Sequence, residues 1–561
     1  MTPDDDLRPW LRTYPPEVDW HAEIEPMSLP DMLARTARLH GDRPAFDFLG
    51  RRTTWAQAAA ASDRIAAGLM ALGLARGTRL GLLMPNCPAY PLVFFAALRA
   101  GLVVVNFNPL YTDHELAAQA RDAGVAIMAT LDLAATYPKA ARLLDAGVIS
   151  RVLVCPFAPM LPHAKGIAMR VLKRGTLARP PRDPRHVWLS DLLATATPPP
   201  PIAIDPVLDL AVLQYTGGTS GLPKGAMLSH ANLHANAVQG VLWFHATRPG
   251  QERVLAALPF FHVFALTTVL LFSVQAGAEI VMLPRFVPAD ALAAIARTRT
   301  TYLAAVPTML NALAAFPGKA DLSSIRYCIS GGAPLPAEVK KRFEARTGCV
   351  VVEGYGLTEA SPCTCCNPTT GENRDGTIGQ PMSRTDQQLR APADPMRRVP
   401  VGERGELCVR GPQVMLGYWN RPEETASAFT PDGWLRTGDI GVMDADGYFS
   451  IVDRIKDLIL CGGYNVYPRT IEEAIYRHPV VAEVTVIGVP DEYRGEAAKA
   501  FVVLKPGAMV TAAELVAFLR EYLSPIELPR HVEFRDTLPK TLIGKLSKKE
   551  LVAEEAARRS V

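Results

Sequence analysis

The feature that most limits the fold of this chain is a rhythm of helix-length and strand-length segments that begins at about residue 54. TWAQAAAASDRIAAGLMALG reads as a helix, RLGLLM as a strand, and the stretch after Pro88 as a helix leading into LVVVNF. IMATL and RVLVC are further strands, and the pattern resumes at EIVMLP, TYLAAVP, IRYCIS and VVVEGYG, separated by helix-length segments. Repeated strand–helix–strand units stack into largely parallel sheets with helices outside, so the expected class is α/β. With 561 residues the chain is too long for one core and should divide into at least two domains.

Punctuation in the sequence suggests where. The tetraproline Pro198 to Pro201 is a stiff spacer, so a subdomain break is expected near 198–205. After about residue 376 short strands bounded by Gly and Pro (GELCVRG, GYFSIVD) predict a small β-barrel-like subdomain over 376–453. Near Lys456 an α+β domain begins, with helix IEEAIYRH, strands around VAEVTVIGV and KAFVVL, helix AAELVAFLREYL and a basic helical tail. The expected organisation is a large domain over 1–453 and a smaller one over 457–561, joined through 454–456.

Hydrophobic residues make up 49% and charged ones 20%, a globular mixture. A net charge of +3 gives no electrostatic ground for a nucleic-acid partner, and none is expected. The N-terminus, MTPDDDLRPW, is acidic and lacks an apolar core, so no secretory leader is expected. Nine cysteines without a regular framework fit a reducing cytosol, and a cytoplasmic location is expected. Cys363, Cys365 and Cys366 have no His or fourth Cys at zinc-like spacing, and are read as small residues lining a pocket. Val254 to Ala278 is nearly uncharged and long enough to span a bilayer. Pro259, His262, two Thr and a Gln make it instead a buried element of the α/β core.

Between residues 160 and 186, seven basic residues (Lys165, Arg170, Lys173, Arg174, Arg179, Arg182, Arg185) face one acid, Asp183. Leu161, Ala164, Ala168, Val171 and Leu172 form an apolar stripe. Two readings stay open: a basic amphipathic helix on the cytoplasmic face of an anionic membrane, and a solvated insertion between strands.

The chemistry concentrates in Tyr215 to His230, YTGGTSGLPKGAMLSH. Gly217, Gly218 and Gly221 permit turns closed to residues with a Cβ, so backbone amides can converge on an anion. Thr216, Thr219 and Ser220 add hydroxyl donors, and Lys224 adds a mobile charge behind Pro223. That equipment suits polyphosphate. It is not a Walker A loop, because Pro223 precedes Lys224 and Gly225 follows it.

The segment resembles the signature of the adenylate-forming superfamily, and its companions follow in order: GGAPL (Gly331 to Leu335), EGYGLTEAS (Glu353 to Ser361), GWLRTGDIG (Gly433 to Gly441), DRIKDLILCGGYNVYP (Asp453 to Pro468) and LPKTLIGKLSKKEL (Leu538 to Leu551). Within that superfamily the chain looks most like a bacterial fatty-acyl-CoA synthetase for long- or medium-chain acids. The resemblance implies activation of a carboxylate by ATP and Mg2+ to acyl-AMP with release of pyrophosphate, then transfer to coenzyme A.

It also implies roles. Glu359 would hold Mg2+ and Thr358 would touch the α-phosphate; a lone carboxylate with phosphate and water as co-ligands suits that ion. Tyr355 with Gly356 would stack on adenine, and Gly331, Gly332 and Ala333 would form the other wall of the base and border the acyl channel. Asp439, with Arg454 assisting, would accept the ribose hydroxyls. Lys545 would bridge carboxylate and α-phosphate in the transition state, with Thr216 and Lys224 on the phosphates. Lys548 and Lys549 are read as surface charges. Lys456 would be the hinge about which a mobile C-terminal lid swings, bringing Gly462 and Gly463 to a tunnel for the thiol. Thr470 departs from the Glu of many relatives. His262 and Phe264, in LPFFHVFALT, match the segment lining the acyl site; His262 is read either as a satisfied core residue or as a pocket wall. No Asp stands there for an α-amino group, so the acid is not expected to be an amino acid, and the apolar neighbourhood favours an aliphatic chain. Alternatives are a ligase for an aryl or branched acid, transfer to a carrier protein, and a membrane-associated fatty-acid trap without turnover. A homodimer is left open.

Overall fold

A computed structural model of the chain describes residues 8–194, 199–216, 223–318, 320–461, 464–491, 493–540 and 546–559. By its contacts the chain forms two units, one of Tyr14–Asp386 with Arg410–Ala428, the other of Met1–Thr13, Gln387–Val409 and Phe429–Val561.

The first unit holds two sheets. In the nine-stranded one the order is Gln380–Pro381, Cys363–Cys366, Val350–Gly356, Tyr327–Ser330, Tyr302–Ala305, Arg253–Ala256, Glu279–Met282, Pro44–Phe48 and Arg51–Thr54. Its six central strands, from Val350–Gly356 to Pro44–Phe48, run parallel, and antiparallel pairs finish both edges. The seven-stranded sheet runs His186–Trp188, Arg151–Cys155, Val125–Leu131, Arg79–Leu83, Val103–Asn106, Leu210–Thr216 and Lys224–Ser229. All its pairs are parallel except the last. These are the strands expected from the rhythm of the sequence, and helices such as Ala89–Arg99 and Asp113–Ala123 supply the crossovers.

One expectation is corrected. The strands on either side of residues 198–205, His186–Trp188 and Leu210–Thr216, belong to the same seven-stranded sheet. The proline-rich stretch therefore connects strands within a sheet. Proline composition signals stiffness, which a crossover connection uses as readily as a domain boundary.

Val254 to Ala278 is buried, as expected: a strand Arg253–Ala256, a short helix Val263–Ala265, a π-helical turn Leu266–Leu271 and a helix Phe272–Ala276. No helix among the described residues is long and apolar enough to cross a membrane.

The second unit also carries two sheets. The β-rich stretch gives a five-stranded sheet in the order Asp394–Arg398, Asp386–Ala391, Gly405–Arg410, Leu435–Met443 and Phe449–Arg454. The C-terminal stretch gives Tyr464–Val466, Ile459–Cys461, Gly495–Leu504 and Val481–Asp491, with His531–Phe534 parallel to Gly495–Leu504. Helices Pro468–Tyr476 and Ala512–Leu519 cover it, and Ile471, Ile475, Leu515 and Leu519 join Val484, Val486, Ala500 and Val502 in one core.

Candidate functional site

Parallel strands deliver their C-terminal ends to one edge of a sheet, and loops there collect ligands. In the nine-stranded sheet three such ends matter: Arg253–Ala256 runs into the LPFFHVF segment, Tyr327–Ser330 into Gly331, and Val350–Gly356 into Thr358 and Glu359.

In the seven-stranded sheet the antiparallel pair Leu210–Thr216 and Lys224–Ser229 sets Thr216 opposite Lys224. Gly217, Gly218, Thr219, Ser220 and Gly221 lie outside the described residues. Beyond the pair the chain enters a helix at once. Ser229 accepts from the amide of Asn232 at 3.2 Å while the Asn232 side chain accepts from the amide of Ser229 at 2.9 Å, a reciprocal cap for His230–Trp243.

The segment 415–419 is laced alongside. The Leu416 amide donates to Met227 O at 3.0 Å, the Met227 amide to Gly417 O at 2.8 Å, and the Trp419 amide to Gly225 O at 2.8 Å. This fixes Tyr418, which sequence reasoning missed. Its ring lies 5.2 Å from the Lys224 ammonium, and its hydroxyl donates to Glu359 Oε1 at 2.7 Å. Burial and the Glu359 carboxylate push the Tyr418 phenol well above its ordinary range, so it stays a donor. Glu359 sits in the single turn Thr358–Ala360, and the Met415 amide donates to its backbone carbonyl at 2.8 Å. A half-buried carboxylate with one oxygen anchored by Tyr418 is a hard donor fit for Mg2+. Tyr418→Phe is expected to raise the Mg2+ concentration for half-maximal rate about 10-fold, from the loss of one charge-assisted bond. A Mg2+ titration of the rate, unchanged in the variant, would contradict this.

Of two glycines in tight surroundings, Gly356 is required by them. A Cβ on Gly356 would stand 2.0 Å from the Pro362 carbonyl oxygen, so only glycine fits between strand and turn. A Cβ on Gly331 would meet Phe264 Cζ at 3.1 Å and Gly354 O at 3.2 Å. Gly332, at φ +78°, turns the chain away after it, with Ala333 half-buried beyond. Tyr355 is half-buried and paired in register with Cys365.

Phe264 is set by the helix that His262 begins: His262 Nδ1 accepts from the Phe264 amide at 3.4 Å. His262 is thus a helix cap, half-buried at the head of the π-helical stretch. Buried amides hold this segment to the seven-stranded sheet. Gln214 Nε2 donates to Phe261 O at 2.8 Å, and the Tyr90 hydroxyl to Phe260 O at 3.0 Å. Asn86 donates to Leu258 O at 2.7 Å and accepts from the Phe260 amide at 2.8 Å. Asn106 joins Gln214 at 2.8 Å. Because Gln214 stands two residues before Thr216, one network orders the strand Leu210–Thr216 and the LPFFHVF segment together. Its signal in the sequence was a polar residue ending an apolar strand, VVVN and LAVLQYT.

Between the helix His230–Trp243 and the strands Tyr302–Ala305 and Tyr327–Ser330 lies a small cavity of about 20 Å³, room for about one water. Gly240, Phe244, Phe272, Tyr302 and Ile329 give it an apolar lining, and Cys363 and Cys366 line it too, as expected of the cysteine cluster. Burial pushes the Cys363 thiol up to about 12, which keeps it neutral.

In the second unit Asp439 and Arg454 face each other across adjacent strands, with Nε 3.0 Å from Oδ1. Asp439 is buried and its amide donates to Thr437 Oγ1 at 3.1 Å. Lys456 is exposed in the turn Ile455–Asp457. Lys548 is no mere surface charge: it pairs with Glu472 at 3.1 Å. Burial opposes its charge, yet Glu472, Asp453 and Asp457 raise it above the ordinary lysine range. The sequence hid this because these acids lie far from Lys548 along the chain. Lys545, Gly462 and Gly463 lie outside the described residues.

Residues 33–419 match the model of the AMP-binding enzyme family, and residues 470–545 that of the AMP-binding enzyme C-terminal domain. The chain is 42% identical over 553 residues to a long-chain-fatty-acid–CoA ligase of Bacillus subtilis, covering 98% of each. It is 37% identical to a feruloyl-CoA synthase of Amycolatopsis sp, covering 92% of this chain and 97% of that one. Among solved structures, ATP-bound MatB from Rhodopseudomonas palustris is similar at 31% identity with a TM-score of 0.81, over 94% of this chain and 99% of that one.

Proposed function

The chain belongs to the family of AMP-binding enzymes, and from that premise we propose that it is an AMP-forming fatty acid–CoA ligase acting on medium- or long-chain acids. The observation that carries this reading is the row Lys224, Tyr418 and Glu359 beside the end of the glycine-loop strand. A cation and an anchored carboxylate serve the two demands of adenylation, neutralising phosphate charge and holding the ion that travels with ATP. Mg2+ held by Glu359 would draw charge from the phosphate oxygens.

Thr216 with the glycine loop would bind the phosphates, Tyr355 and Gly331 to Ala333 the adenine, and Asp439 with Arg454 the ribose. Pyrophosphate leaves when the acyl carboxylate attacks the α-phosphorus; the thiol of coenzyme A then attacks the acyl carbon and AMP departs. Lys545 would serve the first step. An alkyl chain is the acid suggested by the long-chain-fatty-acid–CoA ligase of Bacillus subtilis that the chain resembles. We further propose that 454–456 is a hinge, that 457–561 acts as a lid, and that Gly462 and Gly463 border the path of the thiol. The test is pyrophosphate and thioester formation over acids from acetate to oleate plus benzoate. Benzoate as the preferred acid would favour the aryl ligase, and failure of both steps with every acid would favour a trap without turnover.

Contact with an anionic membrane is the second proposal, carried by the helix His163–Val171. Leu161 is buried, but Ile167, Val171 and Leu172 are 65%, 63% and 80% exposed. Exposed Lys165, Arg170, Lys173 and Arg174 surround them. Apolar side chains among cations fit the boundary of an anionic bilayer, where each cation contributes about 1 kcal/mol. Neutralising Lys173 and Arg174 to Gln is expected to weaken binding to phosphatidylserine vesicles about 10-fold or more. Binding that stays unchanged would leave the solvated insertion as the reading.

A further inference from the structure

We propose that Asp122 is a positioning residue for adenylation: its two carboxylate oxygens tie the strand Leu210–Thr216 to the turn that carries Tyr418, and so hold Tyr418 against Glu359 and Lys224. The inference rests on the ligase reading and on Glu359 as the holder of Mg2+.

Asp122 stands in the last turn of the helix Asp113–Ala123. A carboxylate there opposes the helix dipole, at a cost of about 0.3–1 kcal/mol, and needs a reason. The reason is two short hydrogen bonds to separate parts of the chain. Oδ2 accepts from the Tyr215 hydroxyl at 2.6 Å, and Oδ1 accepts from Arg421 Nη2 at 2.6 Å. The Asp122 and Arg421 side chains are only 23% and 27% exposed, so solvent screens the pair less than one on the open surface.

The first arm reaches the strand. Tyr215 pairs in register with Gly225, one step before Thr216 meets Lys224. Its ring lies over Gly225, where a Cβ would stand 3.1 Å from Cε2 and Cζ. Burial and the Asp122 carboxylate raise the Tyr215 phenol well above its ordinary range, so the hydroxyl remains the donor.

The second arm reaches the turn. The Arg421 amide donates to Tyr418 O at 3.2 Å. Thr425 closes the turn: its Oγ1 accepts from the Tyr418 amide at 2.8 Å and donates to Arg421 O at 2.8 Å. The backbone of Tyr418 and the guanidinium held by Asp122 therefore belong to one hydrogen-bonded unit. Removing the carboxylate releases the Arg421 end of that unit. A shift of about 1 Å at the Tyr418 hydroxyl would break its 2.7 Å bond to Glu359.

The experiment takes the wild type, Asp122→Ala and Asp122→Asn, each variant alone and combined with Tyr418→Phe. It measures the Mg2+ concentration for half-maximal rate and the KM for the preferred acid. Calorimetry adds the Kd for α,β-methylene-ATP with Mg2+, which needs no turnover. Asp122→Ala is expected to raise the Mg2+ requirement and the Kd about 10-fold, the size expected of Tyr418→Phe, with the KM for the acid unchanged. Asp122→Asn keeps an acceptor without the charge and should fall between. On top of Tyr418→Phe either change should add less than about 2-fold, because the path through Tyr418 is already cut; independent effects of Asp122→Ala and Tyr418→Phe would multiply to about 100-fold. Asp122→Asn matches aspartate in shape and keeps the test decisive should the alanine variant not fold. Multiplying effects, or a Mg2+ requirement and Kd unchanged in folded Asp122 variants, overturn the positioning role while the ligase reading stands. Wild-type inactivity on every acid overturns that reading, and this role with it.

Discussion

Lys545→Ala is expected to slow acyl-adenylate formation by about 10²–10³ while leaving conversion of supplied acyl-adenylate to thioester nearly unchanged. The asymmetry follows from where charge develops. In the first half-reaction two anions, carboxylate and α-phosphate, must meet, and a preorganised ammonium stabilises the shared negative charge of the transition state. In the second, a thiolate attacks an anhydride whose leaving group is already stable, and no cation is needed at the same place. In the reading proposed above, Lys545, in the LIGKL segment of the last motif, serves the first step. Pyrophosphate release and thioester formation from synthetic acyl-adenylate, measured separately, check the split. Equal loss of both would contradict a lysine that serves one step and withdraws for the other.

The second large effect is expected at Asp439. Asp439→Ala should raise the KM for ATP by at least about 100-fold, since two hydrogen bonds to a charged acceptor are each worth about 1.5–3 kcal/mol. The structure supports a poised acceptor. Asp439 is buried, and its Oδ1 lies 3.0 Å from Arg454 Nε in the facing strand. Arg454 is half-exposed, so much of the ion pair is screened and the stability cost of the variant should be modest. Deoxygenated nucleotides supply the control. 2′-deoxy-ATP should already be poor with the wild type and should lose little more in the variant. A KM for ATP unchanged by the substitution would remove Asp439 from the nucleotide site.

Much of this was legible because its signals are local. Apolar runs such as RVLVC and IRYCIS are too short for helices and read as buried strands, and the helix-length segments between them favour parallel order. The glycine loop and the YGLTE motif carry their chemistry in adjacent residues. Illegible were features made by residues distant in the chain. Tyr418 becomes informative only when segment 415–419 hydrogen-bonds to Lys224–Ser229 and turns its hydroxyl to Glu359. Asn86, Asn106 and Gln214 look like strand-end polar residues until the LPFFHVF segment closes on them. Lys548 looks solvated until Glu472 and Asp453 surround it. The stripe proposed at residues 160–186 placed Leu161 outward, whereas it packs inside and Ile167 takes the exposed place. A helical stripe inferred from spacing assumes a starting phase, and here the helix begins only at His163.

The most direct test of the central claim is a single-turnover experiment with ATP, Mg2+ and a radiolabelled fatty acid, first without coenzyme A and then with it. Acyl-adenylate should accumulate on the enzyme in the first phase, with one pyrophosphate released per site, and the label should pass to acyl-CoA when the thiol is added. Label appearing in acyl-CoA with ADP and phosphate as products, and no adenylate trapped beforehand, would contradict the account.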